Sequence, residues 1–291
     1  IRTSQDLMHL LDLRQAGLPV RGAYLGLEGA DGTKYAIPNL ERLFQAGFRM
    51  SELCHYTDTA FAASSSGVSG AGLTPAGIDA VQAMDDLGML IDLAHAAPRT
   101  VSDVLRVGRR APLITHTGSA ACHHDPKCLP DELLVEVVRR GGIVGLGFVS
   151  DYLGGHDMDA IVRSLDHMIR VLGSQGVALG SGFCALPVPI AVDHFPSLTQ
   201  ALMARGFDEE TIADVMGGNA MRYLLRELPG GRGAHPAARP PRDRQAEDAA
   251  KDRHLDLHGG PRLVADAPVS ARGRPARTVP APAAARAGSG T

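Results

Sequence analysis

The sequence has little net charge, few cysteines and no long apolar run. A formal net charge of -3 gives no overall field that would attract nucleic acid, an anionic membrane or an acidic substrate. The four cysteines are mostly far apart and no secretory signal opens the sequence, so a reduced, cytoplasmic protein is expected. Gly, Asp, Arg or His interrupts every apolar run before the roughly 20 residues that a membrane helix requires. We therefore expect neither nucleic acid nor a membrane among the partners.

Short β-rich runs alternate with longer helical patterns between about Gly22 and Leu225. The clearest helix has apolar residues on one face, at Ile161, Val162, Leu165, Met168, Ile169 and Leu172. Several helices are followed by a glycine, as expected for left-handed C-caps, at Gly47, Gly88, Gly141 and Gly173. The β-rich runs are GAYLGLEG, FRMSELCH, MLIDLAH, PLITH, GIVGLGFV and VALGSGF. This alternation predicts a mostly parallel α/β sheet.

Polar residues at the ends of successive strands favour a closed barrel over a doubly wound sheet. Glu28, His55, His95 and His116 stand at four such ends, and barrel enzymes draw their catalytic residues from several strand ends. The segment GLEGAD also lacks the glycine spacing of a dinucleotide site. Because only six strands are visible, we expect a (β/α)8 TIM-type barrel over residues 1–228 that lacks its first two strands. Residues 229–291, rich in Ala, Arg and Pro, are expected to form a disordered tail.

Glu28, His95 and His116 are the strongest candidates for chemistry. Two imidazoles and a carboxylate can occupy three corners of a tetrahedral zinc site and leave the fourth corner for a water molecule. Each residue alone is better explained as a hydrogen-bonded structural residue, but three at successive strand ends favour a metal site. His55 is either a fourth ligand or a donor to the substrate. A zinc-activated water is suited to hydrolysing an amide.

The segment CHHDPKC, from Cys122 to Cys128, is weak evidence for structural zinc, because no second cysteine pair follows it. We interpret it as a loop over the mouth of the barrel. Within it, Lys127 is a candidate cation for a substrate carboxylate, with a solvated lysine as the default. Asp92 either orients a neighbouring ligand or makes an ordinary structural hydrogen bond.

These residues in their local sequences resemble the renal (membrane) dipeptidase family of zinc peptidases. The similarity is clearest in LGLEGAD, LTPAGIDAVQAMDDLGMLIDLAH, ITHTGSAACHHDPKCLPDELL and MGGNAMRYL. It implies a barrel with two zinc ions that hydrolyses dipeptides, and family members often form homodimers. By motif position, Glu28 resembles the carboxylate that bridges the two metals, and His95 and His116 resemble the other ligands of the second metal. His55 resembles a histidine that contacts the substrate and the tetrahedral intermediate.

Three departures from the family pattern qualify this resemblance. No H-x-D pair, which holds the first metal in the family, precedes Glu28. Lys127 stands where the family commonly has an arginine, and lysine supplies the charge without two parallel hydrogen bonds. The strand VALGS should lead into G-S-D-F-D-G, but Gly182, Cys184 and Ala185 replace the first aspartate, the second aspartate and the last glycine.

Two functional hypotheses follow. The first is a zinc-dependent dipeptidase that retains one zinc ion and acts through a metal-activated water. The second is a pseudoenzyme or truncated homologue that binds metal or a peptide-like ligand without turnover, since Gly182 provides no general acid or base. A nucleophilic role for Cys184 is a third idea, but no basic partner is identified beside it, which favours an inert buried thiol.

Overall fold

Six parallel strands form one continuous sheet in the computed structural model, which describes residues 1–183 and 188–230. The strands pair in sequence order, and each predicted β-rich run overlaps one of them. They are β1 (Leu25–Leu27), β2 (Phe48–Glu52), β3 (Leu90–Asp92), β4 (Leu113–Thr117), β5 (Ile143–Gly147) and β6 (Val177–Gly180). Helices separate the strands, and the TIM-like α/β architecture predicted from the sequence is confirmed.

Two of the predicted C-cap glycines, Gly47 and Gly88, end α2 (Ile37–Ala46) and α3 (Pro75–Leu87) in the left-handed conformation. Gly173 ends α7 (Met158–Leu172) with ψ of 153°, outside that conformation, so the prediction was wrong there. Thr74 caps α3 by accepting a hydrogen bond from the backbone N–H of Gly77, and the helix ends at Gly88 in the left-handed region with φ of 77°. The helices of the described residues are α1 (Ser4–Gln15), α2 (Ile37–Ala46), α3 (Pro75–Leu87), α4 (Pro98–Val107), α5 (Asp131–Arg139), α6 (Ser150–Leu153), α7 (Met158–Leu172), α8 (Phe195–Arg205), α9 (Glu209–Ala213) and α10 (Asn219–Glu227).

The main hydrophobic core lies between the strands and the helices that follow them. It includes fully buried residues from α3, β4, β5 and α7, such as Met84, Ile114, Leu146 and Leu165. Burial of such side chains typically contributes about 1.5–3 kcal/mol each. This rigid packing fixes the carboxyl ends of the strands, from which the candidate site residues project.

A second core cluster joins α1 and α10 to the first residues of the strands. Leu7 and Tyr223 pack there against Leu90, Leu113 and other residues near the strand starts. The Tyr223 hydroxyl donates a hydrogen bond to the carbonyl of Ala111 at 2.7 Å. These helices therefore support the end of the barrel opposite to the candidate site.

Asn219 connects α10 to the beginning of β6. Its side-chain amide is buried and donates to the carbonyls of Ser174 at 2.6 Å and Val177 at 2.7 Å. The preceding turn, Asp214–Gly218, contains Gly217 at φ of 155°, which favours glycine. The turn and these hydrogen bonds give physical reasons for Gly217 and Asn219 where the last helix begins.

Two sequence predictions lie wholly or mostly outside the described residues. Cys184 and Ala185 are among residues 184–187, and the predicted tail is described only at Pro229 and Gly230. None of the helices that the structure describes is long and apolar enough to cross a lipid bilayer.

Candidate metal centre

The four strand-end residues singled out from the sequence meet at one edge of the sheet. Glu28 follows β1 directly, His55 and His95 each stand three residues after the end of their strands, and His116 lies within β4. Because neighbouring parallel strands direct their carboxyl ends to the same side, residues distant in sequence converge there.

Glu28, His95 and His116 are spaced as ligands of one metal ion would be. The two histidine Nε2 atoms are 2.9 Å apart, and Glu28 Oε1 lies 3.3 Å from that of His95 and 3.7 Å from that of His116. Tetrahedral zinc with bonds of about 2.0–2.1 Å requires ligand separations of about 3.3–3.4 Å. The donor atoms therefore fit a zinc ion with small adjustments.

His95 is held in an unusual conformation for a buried residue. Its φ is 61°, in the left-handed region, and Ser65 donates a backbone hydrogen bond to its carbonyl at 2.8 Å. Such strain is characteristic of functional positions. Burial lowers the pKa of His95 to about 3, reinforced by the charges of His116, His55 and Lys127, so its imidazole is neutral near pH 7. A neutral imidazole is the form that binds a metal.

A hydrogen-bond chain from Asp92 orients His116. The Thr115 hydroxyl donates to Asp92 Oδ2 at 2.6 Å, and Thr115 Oγ1 lies 2.9 Å from His116 Nδ1. Since the hydroxyl hydrogen is directed to Asp92, its oxygen accepts the Nδ1–H of His116. The lone pair of His116 Nε2 is then available to a metal. Asp92 thus acts on His116, on the neighbouring strand, as an orienting group.

Glu52 is a member of the cluster that sequence reasoning missed. It ends β2, is only 2% exposed, and offers a ligand atom within 4.8 Å of those of Glu28, His95 and His116. Burial, with the charges of Asp92 and Glu28, raises the pKa of Glu52 to about 10, although the Gly29 N–H opposes the shift. An acidic residue in a strand predicted to be buried was the available signal, since a buried carboxyl requires a partner.

His55 lies beside the cluster on its more open side. Its Nε2 is 3.4 Å from Glu28 Oε1, and its ring packs edge-to-face on His95 with centroids 4.4 Å apart. The side chain is 31% exposed, against 2% for His95. His55 is also outside the group of four residues whose ligand atoms lie within 4.8 Å of one another, and this favours the substrate-facing interpretation over that of a fourth ligand.

Lys127 is already paired. Its Nζ lies 3.0 Å from Asp151 Oδ2 and 5.6 Å from the centre of the Tyr56 ring. Burial alone would lower the pKa of Lys127, but the hydrogen bond and charge of Asp151 outweigh it and raise the pKa. A substrate carboxylate would therefore have to compete with Asp151 for this cation.

The loop around Lys127 provides no second cluster of ligands within the described part of the chain. Cys128 is buried with its Sγ 3.7 Å from the carbonyl of Asp151, and burial raises the pKa of its thiol to about 12. Cys122 is partly exposed, and neither cysteine joins a group that could hold a metal. This agrees with the interpretation of the segment as a loop rather than a zinc knuckle.

Gly182 lies just beyond β6 in a backbone conformation that favours glycine, with φ of 70°. A Cβ atom added there would lie 3.4 Å from Val149 Cγ2, which is an ordinary contact. Among the described residues, the position therefore has room for a Cβ atom, although its backbone would be strained for most residues.

Comparison with known proteins identifies relatives of most of the described region. A family model described as membrane dipeptidase (peptidase family M19) matches residues 6–228. An uncharacterised dipeptidase of Schizosaccharomyces pombe is 30% identical over 211 residues, covering 68% of this chain and 51% of that protein. A second from the same yeast is 29% identical over 212 residues, with the same two coverages. The chain spans about half the length of these curated relatives.

Solved structures share the fold. A metallopeptidase from Rhodobacter sphaeroides, liganded with a phosphinate mimic of the dipeptide L-Ala-D-Ala, has a TM-score of 0.71 and 25% identity, covering 78% of this chain and 68% of that chain. An M19 dipeptidase also has a TM-score of 0.71, at 24% identity, with coverages of 78% and 71%. An amidohydrolase from Pseudomonas aeruginosa has a TM-score of 0.70 and 22% identity, with coverages of 79% and 78%.

Proposed function

Because this chain belongs to the membrane dipeptidase family, peptidase family M19, we propose that it hydrolyses dipeptides with a zinc ion held by Glu28, His95 and His116. The observation that carries the proposal is the meeting of Glu28 Oε1 with the Nε2 atoms of both histidines at 3.3 Å and 3.7 Å. The dipeptide mimic bound by the R. sphaeroides metallopeptidase supports a dipeptide as the substrate. One zinc ion is proposed, because one group of suitable ligands occurs among the described residues.

The proposed mechanism assigns separate tasks to the residues of the site. A bound zinc ion would supply Lewis-acid polarisation of the scissile carbonyl and of the attacking water. Glu28, with its side chain 49% exposed, faces the open side and can accept a hydrogen bond from that water. His55 can donate through Nε2 to the oxygen that becomes negatively charged. Lys127 can bind the substrate carboxylate by exchanging Asp151 for it.

A second candidate function is metal binding without turnover. The observation that favours it is Gly182, which follows β6 where the family pattern has an aspartate that moves protons. A positioned general acid or base typically contributes about 10²–10⁴-fold to the rate. Without one, the chain could bind zinc and a peptide-like ligand while releasing almost no product. The homodimer and the cytoplasmic location expected from the sequence also remain proposals.

Metal stoichiometry and dipeptide hydrolysis together test the proposal. We expect the purified chain to bind about one zinc ion, and a double variant, His95→Ala with His116→Ala, to lose it. A matched control changes two neighbouring histidines of the β4 loop, His123→Ala and His124→Ala, and should bind zinc normally. Unchanged zinc binding in the first double variant would contradict the site assignment.

Turnover separates the two candidate functions. We expect the zinc-loaded chain to release alanine from L-Ala-D-Ala faster than the metal-free chain and the His95→Ala, His116→Ala variant. Normal zinc binding with no alanine release above the metal-free background would favour the binding function instead.

A further inference from the structure

Glu52 is a buried carboxyl group at the end of β2. No lysine or arginine among residues 1–183 and 188–230 forms an ion pair with it, and its nearest charged neighbours include the carboxyl groups of Asp92 and Glu28. Asp92 is its register partner on β3. Burying several carboxylates together is strongly unfavourable unless a positive charge lies among them. A divalent cation would provide that charge.

The position of Glu52 is fixed by the backbone beside it. Its Oε2 accepts a hydrogen bond of 2.9 Å from the N–H of Gly29. Gly29 has φ of 77°, and a Cβ atom there would lie 3.0 Å from His55 Cβ, so glycine suits this close approach. The same hydrogen bond links Glu52 to the residue directly after Glu28.

We propose that Glu52 is a fourth protein ligand, so that one metal ion is held by Glu28, Glu52, His95 and His116. The inference rests on the proposed metal site and deepens it. The four ligand atoms all lie within 4.8 Å of one another, and a movement of at most about 1.4 Å brings any pair of them to the roughly 3.4 Å of tetrahedral zinc. Rotation of a glutamate side chain provides such a movement.

This ligand set has a distinct chemical character. Two carboxylates neutralise a divalent cation, and two neutral imidazoles complete the coordination. Four protein ligands leave no free corner in a tetrahedral site, so turnover at this metal would require expansion to five-coordination. The ligands all come from the ends of β1 to β4 and the residues that follow them, which makes the site self-contained within the described residues.

Glu52→Gln is the sharpest test, because glutamine closely imitates a neutral glutamic acid. It keeps an acceptor for the Gly29 N–H but removes the negative charge. If Glu52 were only a neutral hydrogen-bonding residue, the variant would bind metal normally. If Glu52 is a ligand, loss of its carboxylate should weaken zinc binding more than 100-fold, which is roughly the upper limit for residues that only support a ligand.

The measurement is competition for zinc between the metal-free full chain and a chromophoric chelator. Glu227→Gln is the matched control. Glu227 is also buried, but it lies on α10 and forms ion pairs with Arg226 and Arg110. We expect this control to retain normal zinc affinity. Thermal unfolding of metal-free protein should be unchanged in Glu52→Gln, whereas the increase in Tm caused by zinc should shrink. Glu52→Asp, which keeps the charge on a shorter side chain, should bind with intermediate affinity.

Three outcomes would overturn the proposal in different ways. Zinc affinity of Glu52→Gln within about threefold of the unmodified chain, while the His95→Ala, His116→Ala variant loses zinc, would remove Glu52 from the ligand set and leave the proposed function standing. Failure of the unmodified chain to bind zinc would contradict both proposals. If Glu52→Gln fails to fold, Glu52→Asp provides the test. Normal zinc affinity and a normal zinc-induced increase in Tm in Glu52→Asp would overturn the role of Glu52 as a ligand.

Discussion

Asp92 and Thr115 lie on neighbouring strands and are joined by two hydrogen bonds. Asp92 Oδ1 accepts the backbone N–H of Thr115 at 2.9 Å, and Oδ2 accepts its hydroxyl at 2.6 Å. The first bond fixes the backbone of β4 next to His116, and the second directs the hydroxyl hydrogen away from the imidazole. A buried carboxyl on one strand thereby sets the orientation of a histidine on the next.

Thr115→Val should weaken zinc binding about 10–100-fold, the usual range for loss of a group that orients a metal-binding histidine. Valine keeps the shape of threonine but cannot accept the Nδ1–H of His116. Thr115→Ser, which retains the hydroxyl, should restore most of the affinity. The measurement is zinc competition with a chromophoric chelator.

Thr117→Val is the control on the same strand. The Thr117 hydroxyl donates to the carbonyl of Lys127 at 3.0 Å, so its removal disturbs a loop contact and leaves the histidine orientation intact. We expect little change in its zinc affinity. Equal losses of zinc affinity in Thr115→Val and Thr117→Val would indicate a general effect of removing a hydroxyl group from β4. They would contradict the orienting role of Asp92.

Asp151→Asn should improve binding of the substrate carboxylate. Asp151 is half-exposed and occupies Lys127 Nζ at 3.0 Å, so neutralising it releases the lysine for a ligand. We expect the KM for L-Ala-D-Ala to fall by up to about tenfold, equivalent to about 1.4 kcal/mol. The KM for the C-terminal amide of the same dipeptide, which carries no carboxylate, should not change.

Asp159→Asn is the matched control for Asp151→Asn. Asp159 pairs with Arg163 in an exposed ion pair on α7, where neutralisation should not affect substrate binding. A fall in KM for both the acid and the amide substrates would contradict a carboxylate-specific role of Lys127.

The sequence predicted the sheet well because each buried strand has a clear apolar run and each helix a clear periodicity. It also selected Glu28, His95 and His116, since parallel strands bring residues at their carboxyl ends together. Glu52 was missed because its contacts depend on how β2 faces β1 and β3, and the backbone N–H of Gly29 that holds it is invisible in a residue pattern. The Lys127 to Asp151 pair was missed for the same reason, because it joins a loop residue to a residue of α6.

Gly182→Asp should raise the rate of dipeptide hydrolysis. The size of this increase distinguishes the two candidate functions most directly. Gly182 has φ of 70°, a conformation that aspartate and asparagine tolerate better than most residues. The added Cβ would make an ordinary contact of 3.4 Å with Val149 Cγ2. A carboxylate there can accept and return a proton, so we expect alanine release from L-Ala-D-Ala to rise by about 10²-fold or more.

Gly182→Asn distinguishes proton transfer from a change in backbone conformation. Asparagine imposes nearly the same strain and occupies nearly the same volume, but its amide cannot act as a general acid or base near neutral pH. We expect the rate of hydrolysis by Gly182→Asn to stay at the level of the unmodified chain. Zinc affinity should be equal in both variants, because Gly182 contributes no ligand to the metal. Equal rates in the Asp and Asn variants, with both binding one zinc ion, would mean that a proton carrier at this position does not limit the reaction. If these equal rates also stay at the metal-free background, the metal site serves binding, since a site limited only by its missing acid or base must respond to a carboxylate.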